Sequence, residues 1–419
     1  MDKFVIQGRS SLRGDYVLSG SKNSTLSVMV AAALGCEPVR LENVPSYTDV
    51  QILSSILRQL GAEVEELETG VYQVCGRHLC NSRAQYELVR KLRGSFYVAG
   101  LLLGRLRCAE VPFPGGDEIG ARGIDFHIKG FEAMGADVSV EHGYVTMRAE
   151  RLRGAEIYVG RSSVGATVNL ILAACFAEGT TTLENAAREP EIVDLAICLN
   201  TMGASIKGAG TSTIKIDGVG ELGGGVHEVI ADRIEAGTIM AATVATGGDV
   251  MIHNFVPEHL RAPILKFEEA GATVTEYENK VHVKGPSRPK GIAIETMPYP
   301  GFATDLQPPM AVLGSIADGV TTIRETIFES RFGYAHELRR MGANIDVDRD
   351  SMIIRGVDEL TGAVVETPRD IRGAFALVLA GLTADGVTEV QGVEQIDRGY
   401  ERIEEKLVGL GADIVRGKC

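Results

Sequence analysis

Two adjacent carboxylates, Asp117 and Glu118, stand in the glycine-rich stretch 114–122, and a guanidinium, Arg122, follows them. The glycines allow the backbone to swing, so the stretch indicates a lid that carries a proton-transfer group. The alternative is a solvated surface turn, because turns favour glycine and aspartate for backbone reasons alone. The place of this stretch in the rest of the chain favours the lid.

A third carboxylate, Asp305, precedes an apolar helical run. It could simply cap that helix, or it could act as a general base if it were desolvated in a cleft. Both readings stay open at this level.

Composition limits the possible ligands and compartments. The 419 residues carry a formal charge of -14, which argues against a broad nucleic-acid surface, so an anionic ligand must meet a local group of Arg and Lys side chains. Seven scattered cysteines without a CxxC pair predict free thiols. The eight histidines form no HxxxH or Cys/His cluster, so we expect no metal site, and we expect no cofactor. Without a signal-like N-terminus or a membrane-length apolar run, we expect a cytoplasmic enzyme or binding protein.

The chain repeats one unit six times. A Gly-Ala pair that ends a helix before a strand recurs about every seventy residues, at Gly61, Gly135, Gly203, Gly271, Gly342 and Gly411. An earlier, small and apolar helix in each unit is expected to stop at a left-handed glycine: Gly35, Gly104, Gly179, Gly248, Gly319 and Gly386. The unit is therefore helix, strand, helix, strand, strand, and the surplus residues of the second unit fall in the lid.

Such units predict an α/β fold of two domains with three repeats each. The break is expected near 218–225, with a second crossing near 19–21. Residues 1–20 plus 230–419 then form a discontinuous domain, and residues 21–229 form an inserted domain that carries the lid at 113–123. The opening strand is expected to pair with the discontinuous domain.

The first helices of the six units begin at residues that favour anion binding. In two facing threefold domains, their N-termini would point at one cleft and offer unpaired N–H groups to an anion. Four basic residues lie in first turns, where a cation opposes the helix dipole, and local rules tend to break at functional sites: Lys22, Arg93, Arg233 and Arg372. Arg122 and Arg398 would add charge, so we expect a phosphate or carboxylate ligand. Arg188, Glu189, Glu329 and Arg331 are weaker candidates that could equally form ion pairs.

Several long motifs resemble the UDP-N-acetylglucosamine 1-carboxyvinyltransferase family of enolpyruvyl transferases. They are the segments 20–23, 114–122, 163–167, 185–191 and 397–403, and the similarity extends over essentially the whole chain. The resemblance implies a two-domain inside-out α/β barrel. It also implies transfer of enolpyruvyl from phosphoenolpyruvate to the 3-hydroxyl of UDP-N-acetylglucosamine, the first committed step of peptidoglycan synthesis.

The same resemblance implies roles for individual residues. Phosphoenolpyruvate would be held by Lys22, Arg122, Arg372 and Arg398. The UDP-sugar would be held by Asn23, Arg93, Arg122, Gly123, Ile124, Asp125, Phe126, Arg161, Ser162, Ser163, Val164, Gly165, Asp305 and the backbone at Ile327, with Arg331 and Asp370 as further substrate-binding candidates. Asp305 would deprotonate the hydroxyl, Asp117 would protonate the methylene carbon, and Lys22 and Arg398 would assist catalysis.

The chain departs from the family pattern at two positions. Asp117 stands where the family usually has cysteine; it can transfer a proton but offers no thiolate for the epoxide fosfomycin to alkylate, so we expect resistance. Gly123 stands where proline is common, which loosens the segment expected around uracil. Two alternatives remain: a related transferase that acts on shikimate 3-phosphate or a nucleotide, and a non-catalytic protein that binds the UDP-sugar.

Overall fold

The computed structural model describes residues 2–418, which divide into two compact units. The terminal unit contains the chain up to Ser19, the short segment Asp117–Ala121 and the chain from Ala231 onward. The middle unit contains Gly20–Gly116 and Arg122–Ile230. Three of the six Gly-Ala pairs fall in each unit.

Each unit is built around three helices that are buried on nearly every side. Their sequences are small and apolar all round, as in Lys22–Ala32, where Asn23 is the exception to burial. A helix without a polar face is stable only in a core, so these helices lie at the centre of their unit. They are Lys22–Ala32, Val98–Leu106 and Val164–Ala174 in the middle unit, and Arg233–Ala245, Gln307–Ile316 and Ile371–Thr383 in the terminal unit.

The second helix of each repeat is amphipathic and half-exposed. These helices are Thr48–Leu60, Asp125–Ala133, Pro190–Thr201, Arg261–Glu269, Ala335–Arg340 and Ile403–Gly409. The glycine of the Gly-Ala pair follows each of them with φ between 93° and 103°, the left-handed conformation that glycine adopts without strain. The predicted Gly-Ala helix ends are confirmed.

The prediction for the first helices is wrong in detail. Gly35, Gly104 and Gly248 do not have a left-handed φ; the left-handed residues nearest to the last two are Arg107 and Gly247. Gly179, Gly319 and Gly386 are left-handed, but each lies three to five residues beyond its helix, directly before a strand. These glycines shape the entry to the strand, and the helices end earlier through ordinary right-handed or extended residues.

The described strands form six separate sheets, three per unit, and no closed barrel. The sheets of the middle unit, in spatial order, are Gly225–Glu228, Val39–Glu42, Val71–Cys75, Glu63–Glu68; Ser205–Lys207, Thr213–Asp217, Thr180–Glu184, Glu156–Tyr158; and Cys108–Pro112, Tyr144–Arg148, Asp137–Glu141. Those of the terminal unit are Thr273–Glu276, Lys280–Lys284, Asp249–His253, Arg13–Val17; Ala293–Glu295, Val320–Arg324, Ser351–Arg355, Asn344–Asp348; and Val364–Glu366, Val387–Gln391, Asp2–Gln7, Asp413–Lys418.

Strand pairing completes the repeat in a way that the sequence did not indicate. In the four-stranded sheets the strand of one edge is parallel to its neighbour, as Glu156–Tyr158 is to Thr180–Glu184, and these edge strands were not predicted. The opening strand Asp2–Gln7 lies antiparallel between Val387–Gln391 and Asp413–Lys418. It therefore supplies the strand that the sixth repeat lacks at its own end.

Short helices carry several candidate residues. They are the α-helix Tyr86–Val89 and the 3₁₀ helices Arg93–Tyr97, Pro257–Leu260, Thr304–Leu306 and Val393–Arg398. The mixed α/β class is confirmed. Within residues 2–418 no helix is both long and apolar enough to cross a bilayer. Cys419 lies outside the described residues, and the other six cysteines are free thiols.

Candidate active site

The lid connects the strand Cys108–Pro112 to the helix Asp125–Ala133, and its tip is anchored within the terminal unit. Glu118 pairs with Arg369 at 2.6 Å, and its backbone N–H donates to the Arg369 carbonyl at 2.8 Å. The N–H of Ala121 donates to Glu329 Oε1 at 2.6 Å. Glu329, a weak candidate from the sequence, therefore binds the lid backbone.

The lid carboxylate is itself held by two donors. Arg398 Nη1 donates to Asp117 Oδ1 at 2.7 Å, and Gln395 Nε2 donates to the same oxygen at 3.2 Å. The side chains of Asp117 and Arg398 are each 14% exposed. The structure thus brings together the expected proton donor and one of the expected phosphate-binding guanidinium groups.

Close packing requires glycine at several positions of the lid. At Gly116, where φ is +102°, a Cβ atom would stand 2.9 Å from the Arg93 side chain, and at Gly115 it would collide with the Arg90 carbonyl. At Gly120 it would stand 2.6 Å from Glu329 Oε2. Larger residues at these positions would displace the lid from its anchors.

Asp305 lies between two guanidinium groups. Arg331 Nη1 is 2.7 Å from Oδ1, and Arg372 Nε is 3.4 Å from Oδ2. The 3₁₀ helix Thr304–Leu306 presents the carboxylate, whose side chain is 26% exposed while both arginines are buried. The carboxylate is therefore paired in this structure, and it is the exposed member of a buried ionic group.

Arg331 is fixed from the other side by Asp370. Both of its remaining donors reach the Asp370 carboxylate at 3.2 Å, and Asp370 also caps the helix Ile371–Thr383 by accepting from the Arg372 N–H. Burial alone would lower the pKa of Arg331, but the charges of Asp370 and Asp305 outweigh it and raise the pKa. Arg331 is thus permanently charged and holds two carboxylates in place.

Arg372 has a buried donor without a well-formed hydrogen bond among the described residues. Its guanidinium lies 4.9 Å from the centre of the Tyr400 ring, which stacks on Phe375. The guanidinium also interacts with the Tyr400 hydroxyl, but its buried Nη1 makes no hydrogen bond of good geometry within residues 2–418. Buried donors are usually satisfied, so this nitrogen beside the Asp305 carboxylate is a candidate contact for a ligand.

The backbone at Ile327 is set by a buried carboxylate. Glu325 Oε1 accepts the N–H of Ile327 at 2.8 Å, and Oε2 accepts the Thr304 hydroxyl at 2.8 Å. Thr304 precedes Asp305 and also accepts from Arg331. The segment expected to contact the sugar and the expected base are therefore held by one side chain.

In the middle unit, Lys22 lies in the first turn of its helix, as predicted, and pairs with Asp49. Their charged atoms are 2.9 Å apart, and the Asp49 side chain is fully buried. Ser21 caps the helix, accepting the N–H of Ser24. The neighbouring Asn23 is exposed.

Arg93 and Arg122 concentrate positive charge. An Arg93 donor bonds the carbonyl of Arg122, and it also lies 3.3 Å from the Gly123 carbonyl. Burial, and then the nearby charge of Arg122, lower the pKa of Arg93 to about 10. Two like charges held this close favour an anion as their partner.

The segment that follows Arg122 packs on the start of the helix Val164–Ala174. A Cβ at Gly160 would collide with Phe126, and one at Gly165 would stand 3.3 Å from the His127 ring. His127 Nδ1 lies 2.9 Å from the Asn169 amide, and burial, followed by the charge of Arg93, lowers the pKa of His127 to about 3. The two segments predicted to hold the UDP group are thus adjacent.

The remaining candidates of these two segments have mixed environments. Ser163 caps the helix by accepting the N–H of Ala166, Ser162 has a left-handed φ of 49° and donates to the Ala186 carbonyl, and Ile124 is buried. Arg161, Gly123 and Asp125 are exposed, and Val164 is partly exposed.

Sequence reasoning missed Asp49, Glu325 and Gln395. Asp49 resembles an ordinary acid in a first helical turn, and Glu325 and Gln395 lie outside any helix start that the repeat marks. The position of Gln395, three residues before Arg398, is the one signal that could have pointed to it. Within residues 2–418 no group of three potential ligands could hold a metal ion.

Comparison with known proteins defines the class first. A family model described as EPSP synthase (3-phosphoshikimate 1-carboxyvinyltransferase) matches residues 6–407. The enolpyruvyl transferase NikO from Streptomyces tendae superimposes with a TM-score of 0.89 at 27% identity, covering 100% of this chain and 99% of that one. EPSP synthase from Acinetobacter baumannii gives 0.77 at 20% identity with complete coverage of both chains, a likeness of fold alone.

Curated relatives then define the family. A UDP-N-acetylglucosamine 1-carboxyvinyltransferase 2 from Symbiobacterium thermophilum is 54% identical over 99% of this chain and 98% of its own. A UDP-N-acetylglucosamine 1-carboxyvinyltransferase from Geobacter metallireducens is 48% identical over the full length of both. The chain belongs to the family of UDP-N-acetylglucosamine 1-carboxyvinyltransferases, and the resemblance inferred from its motifs is confirmed.

Proposed function

We propose that this protein is a cytoplasmic transferase that moves the enolpyruvyl group of phosphoenolpyruvate to the 3-hydroxyl of UDP-N-acetylglucosamine and releases phosphate. This is the first committed step of peptidoglycan synthesis. The high identity over the whole length of relatives with this name supports the reaction. The paired carboxyl and guanidinium groups of the site support the division of roles.

Positive groups would hold the doubly charged donor. Lys22, Arg122, Arg372 and Arg398 bind its phosphate and carboxylate, with Arg372 Nη1 supplying a buried donor that makes no hydrogen bond of good geometry within residues 2–418. Fork-shaped guanidinium groups match both anions. Lys22 is kept in place for this task by Asp49.

The nucleotide sugar would lie along the two adjacent segments of the middle unit. Arg93, the segment 122–126 and the segment 161–165 bind the uridine diphosphate, using the positive charge and the helix N-terminus after Ser163. Asn23, Asp305 and the Ile327 backbone bind the sugar, and Arg331 and Asp370 hold Asp305. Glu325 fixes the Ile327 segment.

The chemistry is an addition followed by an elimination. Asp305 takes the proton of the sugar 3-hydroxyl, and the hydroxyl oxygen bonds to C2 of phosphoenolpyruvate. At the same time the π-electron pair of the double bond takes a proton from Asp117 at C3. The product is a tetrahedral ketal with a methyl group. Phosphate then leaves C2 as hydrogen phosphate with the proton held by Asp305, and a methyl proton returns to Asp117, which restores the double bond and both carboxyl groups.

One structural observation carries this assignment of roles: Asp305 lies 3.4 Å from Arg372, whose Nη1 is buried and makes no hydrogen bond of good geometry among the described residues. A base and an anion-binding donor are thus adjacent. Phosphate release tests the proposal when phosphoenolpyruvate is offered with UDP-N-acetylglucosamine, shikimate 3-phosphate or UDP. We expect phosphate release when the acceptor is UDP-N-acetylglucosamine and no release with the other two acceptors.

The alternatives have distinct outcomes in the same assay. Faster release with shikimate 3-phosphate or UDP would assign a different acceptor. Binding of the UDP-sugar, measured by calorimetry, without any phosphate release would mean that the protein is a non-catalytic sensor.

A further inference from the structure

Gln395 and Arg398 lie on the same side of a single 3₁₀ turn. The helix Val393–Arg398 contains both, three residues apart. A 3₁₀ helix has three residues per turn, so side chains at this spacing eclipse one another and project in the same direction. The local backbone therefore delivers an amide and a guanidinium to one point.

That point is a single oxygen of the lid carboxyl group. Gln395 Nε2 lies 3.2 Å and Arg398 Nη1 lies 2.7 Å from Asp117 Oδ1. Both hydrogen bonds from the part of the chain between residues 2 and 418 reach Oδ1, and neither reaches Oδ2. The two oxygens of this carboxyl group are thus unequal.

We propose that Gln395 is a positioning residue that makes Asp117 Oδ2 the oxygen that carries the transferred proton. The inference rests on the proposed function, because it assigns a task to the lid acid. In a protonated carboxyl group the carbonyl oxygen accepts and the hydroxyl oxygen donates. Two donors on Oδ1 fix it as the carbonyl oxygen, and the proton then resides on Oδ2.

A single donor would fix the orientation of the carboxyl group less well. The terminal torsion of an aspartate is broad and roughly two-fold, so the carboxyl group can rotate and exchange its oxygens. A guanidinium can follow that rotation, since it has donors on several nitrogens. The Gln395 amide, a second donor to the same oxygen, opposes that rotation and keeps the proton on Oδ2.

The proton balance of the step is closed. During addition the Oδ2–H bond breaks, the proton bonds to C3 of phosphoenolpyruvate, and Asp117 becomes a carboxylate stabilised by both donors on Oδ1. During elimination a methyl proton returns to Oδ2 as phosphate leaves. Gln395 exchanges no proton in either direction.

The variant Gln395→Met tests the proposal, because it keeps the length of the side chain and removes the donor. We expect kcat for phosphate release to fall about tenfold, a loss of one hydrogen bond in the transition state. The KM of each substrate should stay within about twofold. The solvent deuterium isotope effect on kcat should increase, since proton transfer becomes more strongly rate-limiting.

Glu394→Gln is the matched control. Glu394 is the preceding residue of the same 3₁₀ helix and accepts the Asp2 N–H at 2.6 Å. We expect its kcat and its isotope effect to equal those of the wild type. A general weakening of the helix would lower kcat in both variants.

The outcomes separate this inference from the proposed function. An unchanged kcat in Gln395→Met, or a reduced kcat with an unchanged isotope effect, would overturn the role of Gln395 while wild-type turnover stands. If the wild-type protein itself releases no phosphate, the proposed function fails, and the role of Gln395 fails with it.

Discussion

Arg398 contacts the lid carboxyl group of Asp117 at 2.7 Å, and the same guanidinium is a candidate ligand of the donor phosphate. The proposed proton donor and a proposed ligand of phosphoenolpyruvate are therefore neighbours in one unit of the protein. In the proposed mechanism an incoming phosphate and the lid carboxylate would compete for the charge of Arg398. Substrate binding would then change the hydrogen bonds of the acid.

The lid residue predicts resistance to fosfomycin. A carboxylate lacks the nucleophilic sulfur that opens the epoxide, so incubation of the wild type with fosfomycin should give no adduct by intact mass spectrometry and no time-dependent loss of activity. Asp117→Cys should gain one covalent adduct. A mass increase in the wild type that maps to the segment 114–122 would refute the prediction.

The buried Lys22–Asp49 pair predicts a large effect on stability. Asp49→Asn removes a fully buried carboxylate 2.9 Å from the ammonium group. We expect a loss of about 3 kcal/mol in the free energy of unfolding, as for other buried pairs that lose one partner. Urea denaturation followed by circular dichroism measures it.

An exposed pair on the same unit provides the control for Asp49. Arg90 and Glu87 are 3.4 Å apart on the surface, and Glu87→Gln should change the free energy by less than about 0.5 kcal/mol. Equal effects of the two substitutions would contradict the account of Lys22.

His127 predicts a dependence of stability on pH. Its folded pKa is about 3, below the value of about 6.5 in an unfolded chain. Between these values the unfolded state binds a proton that the folded state does not, so stability falls as the pH is lowered from about 6.5 toward 3. The slope is expected to approach about 1.4 kcal/mol per pH unit toward the acid end of this range, where the unfolded imidazole is fully protonated.

The variant His127→Gln should lose this part of the slope. Unfolding free energies measured between pH 5 and 7 for the wild type, this variant and the exposed-site control His78→Gln test it. We expect the control to follow the wild type. A His127→Gln profile parallel to both would show that the imidazole is charged in the folded protein.

Much of the fold follows from periodicity. The Gly-Ala pairs correctly mark six helix ends, because a left-handed residue before a strand favours glycine, as at Gly61. The predicted left-handed glycine at the end of each first helix was wrong in part. Gly35, for example, allows another backbone segment to approach closely, because a Cβ there would stand 2.5 Å from the Gly223 carbonyl. Three-residue edge strands such as Glu156–Tyr158 are too short to show a period.

Sequence patterns indicate candidate site residues where a charged side chain opposes a local rule of helix formation. Lys22, Arg93 and Arg372 stand out against their helix dipoles, and each lies in a charged cluster. Nothing in the sequence distinguishes Asp49 and Glu325, because an acidic residue near a helix start or in a turn is common. Their importance comes from burial, which only the packed structure defines.

The central claim is that Asp117 delivers a proton during enolpyruvyl transfer. A single-turnover experiment with Asp117→Asn, in which phosphate release is followed with both substrates present, tests it most directly. We predict a rate at least about a hundredfold below the wild type, with UDP-N-acetylglucosamine binding unchanged by calorimetry. Phosphate release at the wild-type rate would contradict the claim.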